Sequence, residues 1–575
     1  MGLGVLDIQD GHHAPGTTTL DHAAAGVSVN NNLLKHGSGK DSHIVLVPQP
    51  SADPNDPLNW SPAKKAVVFS IILMGTAFVC VVPAPMLNAG IVQISMDIGR
   101  SVSEIATLNG YMLLAMGAAS PPVSAFSRKY GKRPVFVFSS IIGLVGCLVG
   151  EFAKDYNTLV AGRILQGIGA SAYESLCTSV ISDIYFVHQR GVSVAVVVFL
   201  LSSLSNGVSI LAGIITTRLG WPYNFHILLP FVAIQTILVI LWAPETAYNR
   251  SALLNIDRAR SSVEINKSGN SKNDDDDGGD DDKLEKTHST HLEVSDPKAK
   301  EAAGSDTEAG VARDLPKRKT FWQELAIYNG VFTEKSLLSM VIASILIVCN
   351  LIASYNIFVS GLVMAWFVAM SVLAGVMFAA PPWGFDAEAV GFVSGGPLVG
   401  GCLATVFLAL VSDPLIRYMT RKNRGVYEPE FRLLLAVLGG VLSVAGLVGF
   451  GRAIEAGKSI YAISTIWGLT LFGMSIVASV TMGYALDAQP AHAVEMFIMN
   501  ITFKNFFFYG LTNFVVEWYT TQGAAGVFDV IAGITAFLVL LTLPMYVYGK
   551  RYRLYWSRHN ILVRLSLDDG VAGSS

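Results

Sequence analysis

Apolar runs separated by short polar loops dominate the chain, and about 20 apolar residues suffice for a helix to cross a hydrocarbon core of about 30 Å. Six such runs come first: Ala66–Asn88, Glu104–Ala125, Pro134–Phe152, Thr158–Ile181, Gly191–Ile215 and Phe225–Ala243. Six more follow: Val348–Phe378, Val390–Val411, Leu433–Gly451, Ser459–Gly483, Met496–Val516 and Ala524–Tyr548. The pattern predicts an all-α membrane protein with 12 transmembrane helices in two pseudo-symmetric six-helix halves, residues 65–250 and 336–549. Residues 336–347 lengthen the seventh run beyond what one helix crosses without an elbow, so they are expected to form an interfacial lead-in.

The remaining segments are polar. Residues 1–64 are rich in Gly, His, Asn and Pro, a composition expected to leave a disordered tail. Residues 251–335 hold 18 of the 43 acidic residues, including NDDDDGGDDD at 273–282. A block of like charge repels itself and stays solvated, so this stretch is expected to be a disordered acidic tether. No basic segment and apolar core precede the first run, so no cleaved signal peptide is expected. Positive charge gathers at Arg128, Lys129, Lys132 and Arg133, at Arg417, Arg421, Lys422 and Arg424, and at Lys550, Arg551 and Arg553. Short cytoplasmic loops carry such an excess, which puts these sites, both termini and the 550–575 tail in the cytoplasm.

Composition agrees: 52% of residues are hydrophobic and 14% charged, against about 25% charged in soluble chains. Acidic and basic residues are clustered rather than spread, so the net charge of −3 says nothing about partners. All five cysteines lie in apolar runs and none forms a C-x-x-C pair, so they read as packing residues. GSGKD at 37–41 lacks the first Gly and the Ser/Thr of a phosphate-binding loop, which removes the support for direct use of ATP. Histidines gather in tails and loops rather than in a metal-binding cluster. The expectation is a protein that is not an enzyme, with no cofactor and no metal site.

Arg163, Gln166, Gly167, Ala170 and Glu174 recur at helical spacing in the fourth run, forming one polar stripe. A charge at bilayer depth costs at least about 2.5–3.5 kcal/mol on insertion scales and therefore faces the bundle interior or a cavity. The competing reading is a buried structural pair. Lys504, followed by Asn505, is the other mid-run ion, and snorkelling is its competing reading. The halves also echo each other. RKYGKRP after the second run is matched by RKNRG after the eighth, and Asp183 ending the fourth run by Asp487 ending the tenth, each followed by a histidine, His188 and His492.

Arg163, Gln166 and Gly167 form R-x-x-Q-G, and Gly131, Lys132 and Arg133 end a G-x-x-x-D-R-x-G-R-R-like loop. On these residues the chain resembles the major facilitator superfamily, specifically its fungal drug:proton antiporter branch with twelve spans. Two departures stand out: Ser124 and Arg128 occupy the Gly and Asp positions of that loop, and of the fifth-run G-P-x-x-G-G only Gly213 remains. DPNDPLNW, PETAYNR, APPWGF, EPEFRL, YALD and YGKRYR resemble one fungal group that includes polyspecific cation and polyamine transporters. The resemblance implies the major facilitator fold and a proton-coupling and substrate cavity at Arg163, Gln166, Gly167, Glu174, Lys504 and Asn505. It further implies a cytoplasmic gate at Arg128, Lys129, Gly131, Lys132 and Arg133 with Asp183 and Asp487. The expected partners are a small-molecule substrate, protons and the lipid bilayer, with no nucleic acid, in a plasma-membrane monomer. The expected function is proton-coupled export of small amphipathic or cationic compounds such as drugs, toxins or secondary metabolites. Uptake of polyamines or other organic cations, and a nutrient receptor on a transporter fold, are the alternatives.

Overall fold

The computed structural model describes residues 3–6, 14–19, 50–51, 53–248, 318–423 and 425–565. The acidic block at 273–282 and Arg424 lie outside the described residues.

Polar caps set where the helices begin. Ser61, with Pro62 in the first turn, starts α1 (Pro62–Gly75); Ser101 and Glu104 form a reciprocal capping box at α3 (Val102–Tyr130); and Asp155 caps α5 (Tyr156–Ile184). Between them lie α2 (Ile91–Ile98) and α4 (Lys132–Glu151). The first set continues with α6 (Val187–Phe199), a widened turn at Leu200–Leu204, α7 (Ser205–Leu219) and α8 (Pro222–Trp242). The second set comprises α9 (Leu337–Leu346), α10 (Leu351–Met377), α11 (Ala387–Val393), α12 (Gly395–Lys422), α13 (Leu433–Glu455), α14 (Ile460–Ala488), α15 (Ala493–Thr512), α16 (Val515–Leu540) and α17 (Thr542–Arg558). One short ladder, β1 (Thr18–Thr19) with β2 (Val426–Tyr427), is the sheet among the described residues.

Three expected runs break where the local chemistry demands it. The first stops being α-helical at Gly75, widens through Thr76–Val81 and becomes turns to Gly90, because Pro83 and Pro85 supply no backbone N–H and clash with the preceding turn. The seventh has the elbow its length required: a tight turn at Ile347–Cys349, then Asn350, whose side chain accepts from the amides of Ile352 (2.9 Å) and Ala353 (3.3 Å). The twelfth begins earlier than its apolar pattern, at Val515, and turns at Gly523, where φ is +75°.

Nine described helical segments are long and apolar enough to cross a membrane. Three further long helices, α3, α5 and α15, are absent from those nine. They carry Asn109, Arg163, Glu174, Lys504 and Asn505, and they pack on one another. Gly167 of α5 lies against the Met112 carbonyl of α3, while Gly110 and Gly117 of α3 lie against Thr512 and Asn505 of α15. Small residues bring helix backbones close where no water drives association. The two sets of helices meet along α3–α15 and along α7 with α11 and α12. In the second seam Gly213 packs on the Ala387 carbonyl, and Gly391 on that of Ser209. Gly213, the one residue retained from the fifth-run signature, is therefore a close-approach glycine.

A side chain at Gly167 would meet backbone, which cannot yield as a flexible side-chain tip can. Gly167→Ala is expected to destabilise by about 1–3 kcal/mol through overpacking, read as a lower melting temperature in detergent. Gly533→Ala, with no atom within 4 Å of the added carbon, is the control expected to melt at or above the parent temperature.

Candidate functional site

The two helix sets enclose a cavity of about 270 Å³ whose apolar lining includes Met112, Met116, Met364 and Phe367. Its polar groups include Asn88, Asn109, Glu174, Ser202 and Ser205 from the first set, and Ser360, Ser371, Asn500 and Lys504 from the second. An apolar chamber with a few convergent polar groups suits a small organic ligand.

Glu174 on α5 and Lys504 on α15 form an ion pair across the seam, Nζ to Oε1 2.5 Å, with side chains 11% and 16% exposed. Asn505, fully buried, donates from Nδ2 to the other carboxylate oxygen at 3.4 Å. Sequence reasoning placed these three in the interior separately; the fold brings them together. Lys504 does not snorkel: it lines the cavity and its ammonium is held by Glu174.

Arg163 lies elsewhere. It is fully buried and does not line the cavity; its guanidinium donates to the Pro83 carbonyl (2.6 Å), Asn109 Oδ1 (2.7 Å) and Gln166 Oε1 (3.1 Å). Five donors in a rigid fork can serve acceptors on separate elements, so Arg163 fixes the proline-broken end of the first run against α3. Gln166 also donates to Cys147 Sγ at 3.4 Å. The polar path then leads to the cavity: Asn109 donates to Asn88 Oδ1, and Asn88 Nδ2 donates to Ser371 Oγ on α10 at 2.9 Å, a second link between the helix sets. Asn88 and Asn109 were missed in the sequence because neutral amides in an apolar run carry no charge signal.

The end of the bundle that carries the described terminal segments holds the residues expected at a gate. Lys132 Nζ contacts Asp183 (2.5 Å) and Ser179 (2.6 Å). The main-chain amides of Lys132 and Arg133 donate to Glu245 at 2.9 and 3.1 Å, and the Arg133 guanidinium donates to the carbonyls of Ile240 and Ala243 that end α8. Glu245 thus caps α4; burial pushes its carboxyl above the ordinary range, and the amides of Ala247, Lys132 and Arg133 pull it partly back. Gly131 is needed beside it, with φ +96° and the carboxylate where a side chain would start. Lys129 makes main-chain contacts with the segment entering α9: its Nζ donates to the Lys335 carbonyl and its carbonyl accepts from the Phe332 amide, both at 2.9 Å.

In the second set, Asp487 accepts from Arg432 Nε (2.6 Å) and Tyr427 OH (2.5 Å). The structural counterpart of Lys132 is therefore Arg432 at the start of α13; Arg421 and Lys422 of RKNRG are exposed. The YGKRYR string also differs from a simple positive anchor, since Arg553 is fully buried between Glu428 and Glu430. Across the seam at this end Arg128 meets Glu495 on α15 at 2.5 Å, filling the changed Asp position with a charge of opposite sign. At the far end Arg218 pairs with Glu388 at 3.0 Å. No group of three or more His, Cys, Asp or Glu side chains suited to a metal ion occurs among the described residues.

A family model for the Major Facilitator Superfamily matches residues 66–506. Protein HOL1 of Saccharomyces cerevisiae is 24% identical, with 97% of this chain and 98% of that protein aligned. The MFS-type transporter hepF of Aspergillus oryzae is 22% identical over 91% of this chain and 96% of its own length. The MFS-type efflux pump MMF1 of Mycosarcoma maydis is 27% identical over 36% of this chain and 35% of its own. A match that runs from the first long helix past the Glu174–Lys504 pair leaves one conclusion: the chain belongs to the Major Facilitator Superfamily and is a multi-pass membrane transporter of that family.

Proposed function

We propose that the protein is a proton-coupled exporter of small amphipathic or cationic compounds, spanning the plasma membrane with twelve helices and keeping both termini in the cytoplasm. The observation that carries this reading is the Glu174–Lys504 pair at the seam of an apolar cavity. A carboxylate there can hold Lys504, a proton or a cationic ligand, and each excludes the others. Breaking a buried pair and leaving one charge unpaired costs about 3–5 kcal/mol, so release of Lys504 by protonation is strongly coupled to what next neutralises the site. Apolar walls add affinity for an amphipathic body without demanding one shape. The name of one relative, an efflux pump, agrees with export. Basic residues at the terminal-segment end support a cytoplasmic assignment for that end.

The test is flux in proteoliposomes, with a compound panel and two imposed pH gradients. Glu174→Gln mimics the neutral acid, and is expected to give a protein that inserts normally yet loses at least about tenfold of its gradient response, about 1.4 kcal/mol, with cations affected more than neutral compounds. Full gradient-driven transport by this variant, with binding still pH-dependent, sinks the proposal. Substrate binding without substrate-dependent proton flux favours a receptor.

At the gate, Arg128→Glu and Glu495→Arg are each expected to lower the melting temperature and slow flux, and the double variant to recover much of both. The coupling expected for a close pair is about 1–2 kcal/mol. Additive losses in the double variant mean that the contact does not hold the halves together.

A further inference from the structure

We propose that the Leu3–Leu6 and Ala14–Thr19 segments form a peptide clamp, an intrachain ligand seated in a built groove on the second helix set. The groove's sides are the ends of α12, α14 and α17 and the 426–431 segment. Val5 is 2% exposed and packs in one cluster with Met419 of α12 and Phe431. The Leu6 amide donates to the Val547 carbonyl at 3.2 Å, and Tyr546 OH donates to the Leu3 carbonyl at 2.8 Å, tying the same stretch to α17. Thr18 and Thr19 then pair antiparallel with Tyr427 and Val426.

The charged part of the groove is completed by the clamp. Arg553 directs Nε and Nη2 to Glu430 (3.1 and 2.9 Å) and Nη2 also to Glu428 (2.8 Å). Its Nη1 donates to the Pro15 carbonyl and to Thr17 Oγ1 at 3.1 Å. Thr17 in turn donates to Glu428 at 2.7 Å. A buried guanidinium needs acceptors for its donors, and for Nη1 the clamp supplies both. Gly16 makes the fit possible: with φ +82° it lies against the Asp487 carbonyl, at the point where a side chain would sit.

These contacts join three helices, α12, α14 and α17, to the 426–431 segment that leads into Arg432. The clamp thereby holds the second set's side of the gate as one body. Residues 20–49 separate it from the next described segment, a length that reaches about 100 Å if extended. Motion between the helix sets need not dislodge it, and tethering keeps its effective concentration high.

The experiment uses the full chain with a protease site inserted between Asn31 and Asn32, purified in detergent and cut. The expected result is that the 1–31 fragment co-elutes with the rest of the chain, and that excess synthetic peptide of residues 1–20 exchanges with it. Val5→Asp in the full chain is expected to release the fragment on cutting, with at least tenfold weaker retention, and to lower the melting temperature of the cut protein by several degrees. Where Val5→Asp reduces the yield, Gly16→Val reads the same groove. A parent fragment that separates at once on cutting overturns the proposal, and so does retention unchanged by either substitution. Displacement by an unrelated extended peptide as readily as by residues 1–20 also overturns it, by making the groove a general peptide surface.

Discussion

Glu174 and Lys504, 2.5 Å apart on helices that belong to different halves, impose a demanding condition on the rest of the molecule. Both charges are nearly out of water, so the pair is favourable only if each partner stays placed and its remaining valences are met. Asn505 meets one of them. The backbones of α3, α5 and α15 must also lie close enough for two side chains to meet over the seam, which explains the glycines at 110, 117 and 167. The same three helices fall outside the set of strongly apolar segments. They bring Asn109, Glu174, Asn500 and Lys504 to the cavity, so the helices least legible as membrane spans by hydropathy supply its two charged side chains.

A side-chain ion pair crosses each end of the bundle, Arg218 with Glu388 and Arg128 with Glu495, and the far end adds close backbone packing. At the far end the contacts include backbone against glycine: Gly213 on the Ala387 carbonyl, Gly391 on Ser209 and Gly375 on the Asn88 carbonyl. At the gate end the crossing contacts are side chains, Arg128 with Glu495, joined by the Lys129 bonds to the α9 lead-in. Within each half a basic residue at a helix start holds the acid that ends the next long helix, Lys132 with Asp183 and Arg432 with Asp487. Each half is thus tied internally, and the crossing ties are separate.

Much of this was legible in the sequence, and what escaped did so for physical reasons. Apolar period and length gave the helices, and the excess length of the seventh run foretold the break at Asn350. Depth alone marked Glu174 and Lys504, because a charge inside a run has to be satisfied. Partners on different helices were another matter. Arg128 with Glu495 and Arg163 with Asn109 depend on which helices adjoin, and the pattern along one chain does not encode that. Pro83 and Pro85 were visible but sat in a run apolar enough to read as continuous helix. The sharpest difference is at Val5 and Gly16: composition describes residues 1–64 as unable to order themselves alone, and these segments are ordered by a surface that another part of the chain provides.

That last point bears on how the two halves differ. In the first half Glu245 lies on the amides that start α4, and Arg133 on the carbonyls that end α8. All come from one contiguous stretch of chain. In the second half the corresponding ends are gathered by Arg553 between Glu428 and Glu430, and two of the guanidinium's acceptors come from residues 15 and 17, more than 500 positions away. The Lys132–Asp183 and Arg432–Asp487 pairs match between the two sets, and this closure has no such match. Burying the Nη1 donors of this guanidinium without acceptors would be costly, and Pro15 and Thr17 supply them. The second half is therefore complete only when the beginning of the chain has come to rest on it.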